Sequence, residues 1–417
     1  MNIYLIIILI SYLAVTGFGY WLEYLNMAYL KRYGSVVPSE FQGQIDNELL
    51  IKTQNYTIEN TKYGIVLSVF NSIIALIFIF GGLLNIYNTW IESLNLPFMA
   101  EGIIFFITLY YVESIITMPF NLYQVFIIER KYGFNNTNPK LWLTDFIKSI
   151  ILSTIIMGIV IAIGLFIVTE SPDFWWLWVW GFFLIFSIFI MYVSPYIIEP
   201  LFNKFTPIDD ESLVQGINSL MKKVGIMVSR VFKIDASKRT SHTNAYFTGI
   251  GKVKRIVLYD TLLKKMNIQE ILSVLAHEAG HWKKKHLLKS MIVIEGIGLI
   301  AFYVSFRLLK FDLLTELFHI EKSTFFAKLV VLAFLGEIVM FPFTPFLNFL
   351  SRMHEKEADR FACEITDDPE SMISTLVKLS KDNLSNLHPH PVYAAFHYSH
   401  PPIIQRIKFI RDVLTKK

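Results

Sequence analysis

The hydrophobic pattern divides the chain into long apolar runs and two extended stretches of mixed character. Near 3–22, 64–87, 101–127, 147–169, 174–198, 287–309 and 325–350, apolar residues continue long enough for a helix to cross a hydrocarbon layer of roughly 30 Å. Aromatic residues gather at the ends of these runs: Tyr20 and Trp21, Trp90, Trp142, and Trp175 with Trp176. That placement suits the interfacial belt of a bilayer. In the mixed stretch 199–286, residues 211–225 repeat Leu213, Ile217, Leu220, Met221 and Val224 at helical spacing. Residues 231–235 and 253–258 are rich in Val, Ile and Phe and read as strands, and Phe247 to Gly251 reads as the turn before the second. A helix follows over about 268–286. The expected fold is an all-α multi-pass membrane protein with seven spans and a small α+β cytoplasmic domain. The chain divides into 1–198 (five spans), 199–286 (soluble), 287–350 (two spans) and 351–417 (soluble tail).

Composition agrees with a membrane protein. Of the 417 residues, 54% are hydrophobic and 17% charged, against about a quarter charged in soluble chains. The net charge of +4 is too small to mark a nucleic-acid partner and is better read loop by loop. The loop after the first span carries Lys31, Arg32, Lys52 and Lys62, and the loop after the third carries Arg130, Lys131 and Lys140. The second and fourth loops carry no Lys or Arg. The positive-inside rule therefore puts the N-terminus outside, and the fifth loop and the C-terminal tail in the cytoplasm. The sequons at Asn55 and Asn135 fall on that cytoplasmic side and are discounted. The first apolar run lacks a basic leader and is read as a retained helix. Cys363 is the one cysteine, so no intrachain disulfide forms, and it is read as a packed helix residue.

The chemistry concentrates in His277-Glu278-Ala279-Gly280-His281, an HExxH run. On a helix, residues four apart share a face, so His277 and His281 can hold one zinc ion between them. Glu278 is then placed to take a proton from a water activated there. A catalytic zinc takes a third protein ligand. Ser351 to Asp359, just past the last span, supplies Glu355, with Asp359 one turn on and able to accept from a ligand imidazole. His354 and Glu357 compete for the ligand role. His286, after Lys283 to Lys285, reads equally well as a solvated helix end. His242, His388 and His390 are not read as ligands, and from the residues alone His400 reads as a structural histidine.

Taken in order, these motifs resemble the CAAX prenyl protease 1 family of integral-membrane zinc endopeptidases. The resemblance covers the seven-span layout, HEAGHW with His286, Ser351 to Asp359, Pro200 to Phe205, Asn244-Ala245-Tyr246-Phe247, and His400-Pro401-Pro402 with Arg406. It implies one zinc ion per chain on His277, His281 and Glu355, with Glu278 as general base. It implies that the segment Asn244, Ala245, Tyr246 lies along the substrate as an added strand. It assigns His400 to oxyanion stabilisation, and Arg406 to local structure or to the new carboxylate. The implied partners are a peptide or prenylated-protein substrate and the lipid bilayer, with no nucleic acid and a monomeric chain. The spans are expected to enclose a barrel-like, water-filled chamber, and Glu113, Glu295 and Glu337 lie within them as candidates to face water. The short sixth loop and a tail without a dilysine retrieval pattern favour a bacterial member in the cell membrane; a eukaryotic one would sit in the endoplasmic reticulum. Two alternatives stand beside this reading. One is a seven-span transporter or receptor with a non-catalytic metal site; the other is a smaller four-span membrane metalloprotease.

Overall fold

A computed structural model describes residues 2–248 and 253–414. Among the described residues, seven helices are long and apolar enough to cross a membrane: Ile3–Tyr33, Asn47–Ile79, Phe98–Tyr132, Pro139–Glu170, Trp175–Phe202, His286–Leu309 and Phe325–Thr366. Each matches an expected run, though most extend beyond it. The second is the exception. It stops at Ile79, Gly82 adopts φ 81°, and Leu83–Glu92 forms a separate helix. Only glycine takes that left-handed turn without strain, so residues 83–87, expected to complete the second span, turn away.

Several helix starts are written locally. Asn2, Asp46 and Asn138 each accept a backbone N–H of the first turn with the side chain. Such caps satisfy donors that have no intrahelical partner.

Between their ends the spans scarcely bury one another. In the most apolar window of each of the first six, 6% of residues are buried. Packing concentrates at one end, where Leu5, Ile79, Leu84, Phe105, Leu165 and Phe326 share a cluster drawn from five spans and a connecting helix. The approach there is close: a β-carbon on Gly102 would lie 2.4 Å from Leu165 Cδ1 and 2.5 Å from Phe326 Cε1. Between the ends, contact is looser, as where Phe183 stacks on Phe302 at 5.5 Å and Trp180 Nε1 donates to the Glu295 carbonyl. A cavity of about 1540 Å³ opens between the first turns of the second spanning helix and the far end of the third, lined by Lys52, Glu59, Tyr63 and Phe120 among others.

At the opposite end sits a four-stranded sheet in the order β1-β2-β4-β3, with β1 Phe205–Pro207, β2 Met227–Ile234, β3 Ala245–Thr248 and β4 Val253–Tyr259. β2 and β4 run parallel, and the outer pairs are antiparallel. The amphipathic helix Glu211–Val224 buries Leu213, Ile217, Leu220, Met221 and Val224, the face its spacing predicts. It packs with the sheet against the HEAGH helix, Ile268–Lys283. The expected turn from Phe247 to Gly251 falls in part outside the described residues. The tail helices Pro369–Asp382 and Ile403–Leu414 pack around Cys363, Met372, Leu376 and Ile407, together with Phe41 from the first loop and Leu50 from the start of the second spanning helix.

Candidate metal centre

The HEAGH helix is fixed before its histidines are reached. Asn267 caps it, accepting from Glu270 N, while Glu270 returns a carboxylate oxygen to Asn267 N. The same buried carboxylate takes Ser374 Oγ at 2.7 Å and Lys378 Nζ at 2.7 Å, bolting the helix start to the tail. Four turns on, the helix crosses the far part of the seventh span. A β-carbon at Gly280 would stand 3.1 Å from Ala358 Cα and 3.3 Å from Ala358 O, so the middle of HEAGH needs a glycine for backbone-on-backbone packing. Ala279, Ala358 and Ala362 are fully buried along this crossing.

That crossing brings His277, His281 and Glu355 together, with one ligand atom from each within 4.8 Å of the others. The two Nε2 atoms are 3.1 Å apart. Glu355 Oε1 lies 3.2 Å from His281 Nε2, and Oε2 lies 3.4 Å from His277 Nε2. Oε2 is buried and accepts no hydrogen bond, although Glu355 itself is only 4% exposed. A buried carboxylate oxygen with no donor is costly. Beside two imidazole nitrogens converging on the same space, it fits a cation ligand.

Around these three, Asp359 accepts from His277 Nδ1 at 2.8 Å. Arg406, also buried, grips Asp359 through Nε at 2.8 Å and Nη2 at 2.6 Å, with Nη1 3.8 Å from Glu355 Oε2. Burial pushes the His277 imidazole towards neutrality, but Asp359 and Glu355 outweigh it and raise its pKa to about 9 when no cation competes. Glu278 is half-buried beside them; burial raises its carboxyl above the usual range, and His277 and His281 offset part of that rise. His400 reaches in from the tail with Nε2 3.3 Å from Glu355 Oε1 and its ring 61% exposed, at the mouth of the site. Arg352 sets that reach by donating to the backbone oxygens of Ala394, Ala395 and Tyr398.

Of the competing ligands, Glu357 goes to His286 Nε2 at 3.0 Å, and His354 stacks on the His286 ring at 4.2 Å. Neither points at the ligand group. His286 is not a solvated helix end: it is 3% exposed and touches His281. His242 pairs with Asn383 and Glu129, and His388 with the Val36 carbonyl. His390 caps the helix Pro391–His397. β3 is an edge strand packed near the HEAGH helix, and Asn244 turns its Oδ1 onto Ala245 N. The Tyr246 hydroxyl is held by Glu199 at the end of the fifth span. Glu113 and Glu337 are exposed along their spans, and Glu295 is half-buried.

Residues 26–204 match the family described as CAAX prenyl protease N-terminal, five membrane helices, and residues 207–414 match peptidase family M48. CAAX prenyl protease 1 of Saccharomyces cerevisiae is 32% identical over 98% of this chain and 96% of its own length. This chain belongs to the CAAX prenyl protease 1 family. The homologue from Oryza sativa subsp. japonica is 37% identical over 73% of this chain and 72% of its own. An uncharacterized metalloprotease of Bacillus subtilis, YhfN, is 30% identical over 96% and 94%. The crystal structure of S. mikatae Ste24p superposes with a TM-score of 0.91 at 29% identity, covering 98% of this chain and 99% of that one. The protease is therefore an integral-membrane metalloendopeptidase with the fold of that structure. The transporter, receptor and four-span alternatives fall with the whole-length match.

Proposed function

We propose that this protease carries one zinc ion on His277, His281 and Glu355 and hydrolyses peptide bonds of prenylated CAAX proteins or other membrane-associated peptides. The observation that carries the reading is the ligand triangle with its orphaned oxygen. Edges of 3.1, 3.2 and 3.4 Å compare with about 3.3–3.4 Å between ligand atoms in a tetrahedral site with arms of 2.0–2.1 Å. Zinc would supply Lewis acidity, making a water acidic enough to lose a proton near neutral pH.

The chain's own groups do the rest. Glu278, its carboxyl raised towards the working pH, takes the proton from the attacking water and returns it to the leaving amine. His400, exposed at the mouth, donates to the carbonyl oxygen as negative charge develops. Arg406 is spent on Asp359, so we assign it to holding the His277 side of the site rather than to the substrate. Beside β3, Tyr259 N donates to the Asn244 carbonyl at 3.0 Å, and the antiparallel register that follows turns the peptide groups of Ala245 and Phe247 to the free edge. A substrate strand laid there would meet Ala245 with no strand between it and the zinc helix. The names of the relatives support a prenylated CAAX substrate. The Lys and Arg distribution supports an N-terminus outside and a cytoplasmic site in a cell membrane, and we take the chain as a monomer.

Glu278→Gln tests the assignment. The variant should retain about one zinc per chain and lose 10²–10⁴-fold in cleavage rate. Metal-loaded variant cutting at the wild-type rate would defeat it. A farnesylated and an unmodified version of one peptide, each with and without chelator, separate the two substrate classes.

A further inference from the structure

His286 has no part in the reading above, yet it is almost wholly buried within reach of a ligand. Its Nδ1 lies 3.0 Å from Nδ1 of His281, and its Nε2 lies 3.0 Å from Glu357 Oε2. Resting on the assignment of His281 as a ligand through Nε2, we infer that His286 and Glu357 form a relay that fixes the tautomer and orientation of His281.

The proton positions follow from the donor inventory. A neutral imidazole has one N–H and one acceptor nitrogen. With His281 Nε2 turned towards Glu355 and His277, the proton of His281 is on Nδ1. The atom 3.0 Å away, His286 Nδ1, must then accept, which puts the His286 proton on Nε2. Nε2 faces the Glu357 carboxylate, which only accepts. Every hydrogen bond of the chain Glu357–His286–His281 is thereby satisfied in one direction, with His286 neutral. The ring of His354, parallel within 11° at 4.2 Å, holds the relay flat. Lys289 Nζ lies 3.8 Å from the same carboxylate oxygen of Glu357.

The two ligand histidines thus have separate supports. His277 leans directly on Asp359, from the far part of the seventh span's helix, and through it on Arg406 of the tail. His281 leans on a residue that opens the sixth span, with a carboxylate from the seventh behind it. A backbone kink supplies the geometry: Lys285 takes φ 56°, ending the HEAGH helix and folding His286 back beneath His281. Groups that orient metal-bound imidazoles change metal affinity by roughly 10–100-fold when lost. His286 and Glu357 are therefore positioning residues, acting through His281.

The test is zinc release from the purified full chain into excess chelator, with cleavage measured alongside. His286→Ala should release zinc roughly 10–100-fold faster. His286→Asn, whose Oδ1 can replace the accepting nitrogen, should recover most of the loss. Glu357 is 44% exposed, so Glu357→Ala removes the end of the relay without opening the core and should speed release several-fold. A residue that merely filled space would show neither the Asn rescue nor the Glu357 effect. Wild-type release from both His286→Ala and Glu357→Ala, beside a His281→Ala control that holds no zinc, would overturn the relay alone. A His281→Ala protein that still bound zinc at wild-type strength would overturn the ligand assignment and the relay with it.

Discussion

At Gly280 the space for a side chain is already taken by Ala358 backbone on one side and Phe361 Cδ1, at 3.2 Å, on the other. Gly280→Val should cost about 1–3 kcal/mol by overpacking, and thermal unfolding would register it. More telling, it should weaken zinc binding several-fold, because separating the two helices moves His277 and His281 away from Glu355. Normal zinc affinity in a folded variant would count against that coupling. The sequence carried this site unevenly. His277, Glu278 and His281 were legible because one helix supplies all three at fixed spacing. Glu355 and Asp359 were legible as a second helical pair. The partners of His286 were not: Glu357 is 71 positions away, and nothing in local periodicity says which helices will touch. Arg352 lies within Ser351 to Asp359, but its role is not readable there, since its three acceptors lie on the chain leading to His400.

Among the elements, the loop after the third span is docked onto the soluble domain. Asn135 bridges to Thr240, Arg239 pairs with Asp145, and His242 stacks on Phe134 at 4.2 Å. His242 faces Glu129 at 3.6 Å and Asn383 at 2.7 Å, with Lys265 nearby and itself paired to Asp382. Glu129 raises the His242 pKa; burial and Lys265 oppose the rise. A raised value means that the protonated form stabilises docking. That contribution is full below about 6.5 and fades as pH climbs through the folded value. The pair is partly exposed, so it is worth less than about 1 kcal/mol. Wild-type melting in mild detergent should therefore fall more between pH 6 and pH 9 than that of His242→Gln; parallel curves would exclude the contact as their source. The longer elements were readable from hydrophobic runs. β1 and β3 were not, because three or four residues are too few for a period of two to show, and their pairing comes from β2 and β4. The break at Gly82 is hidden in the sequence because apolar residues continue on both sides of it.

For the molecule as a whole, the seventh span is one 42-residue element, about 63 Å long if helical throughout. It passes through a tighter turn at Phe341–Phe343 and carries Glu355 some twelve residues further, about 18 Å. The element is thus a lever with its pivot near the turn. Spans answer a change in bilayer thickness by tilting. A tilt of about 5° would swing the far end of an 18 Å arm by about 1.6 Å, and about 1 Å of misplacement can cost 10²-fold in rate. The seam at Gly280 carries the HEAGH helix along with Glu355, so His277, His281 and Glu355 should travel together while their aim at the proposed substrate strand along β3 changes. Reconstituted in bilayers of graded acyl length, the protease should hold zinc equally well throughout and yet turn over at different rates. The thickness of the surrounding lipid becomes a setting on the enzyme.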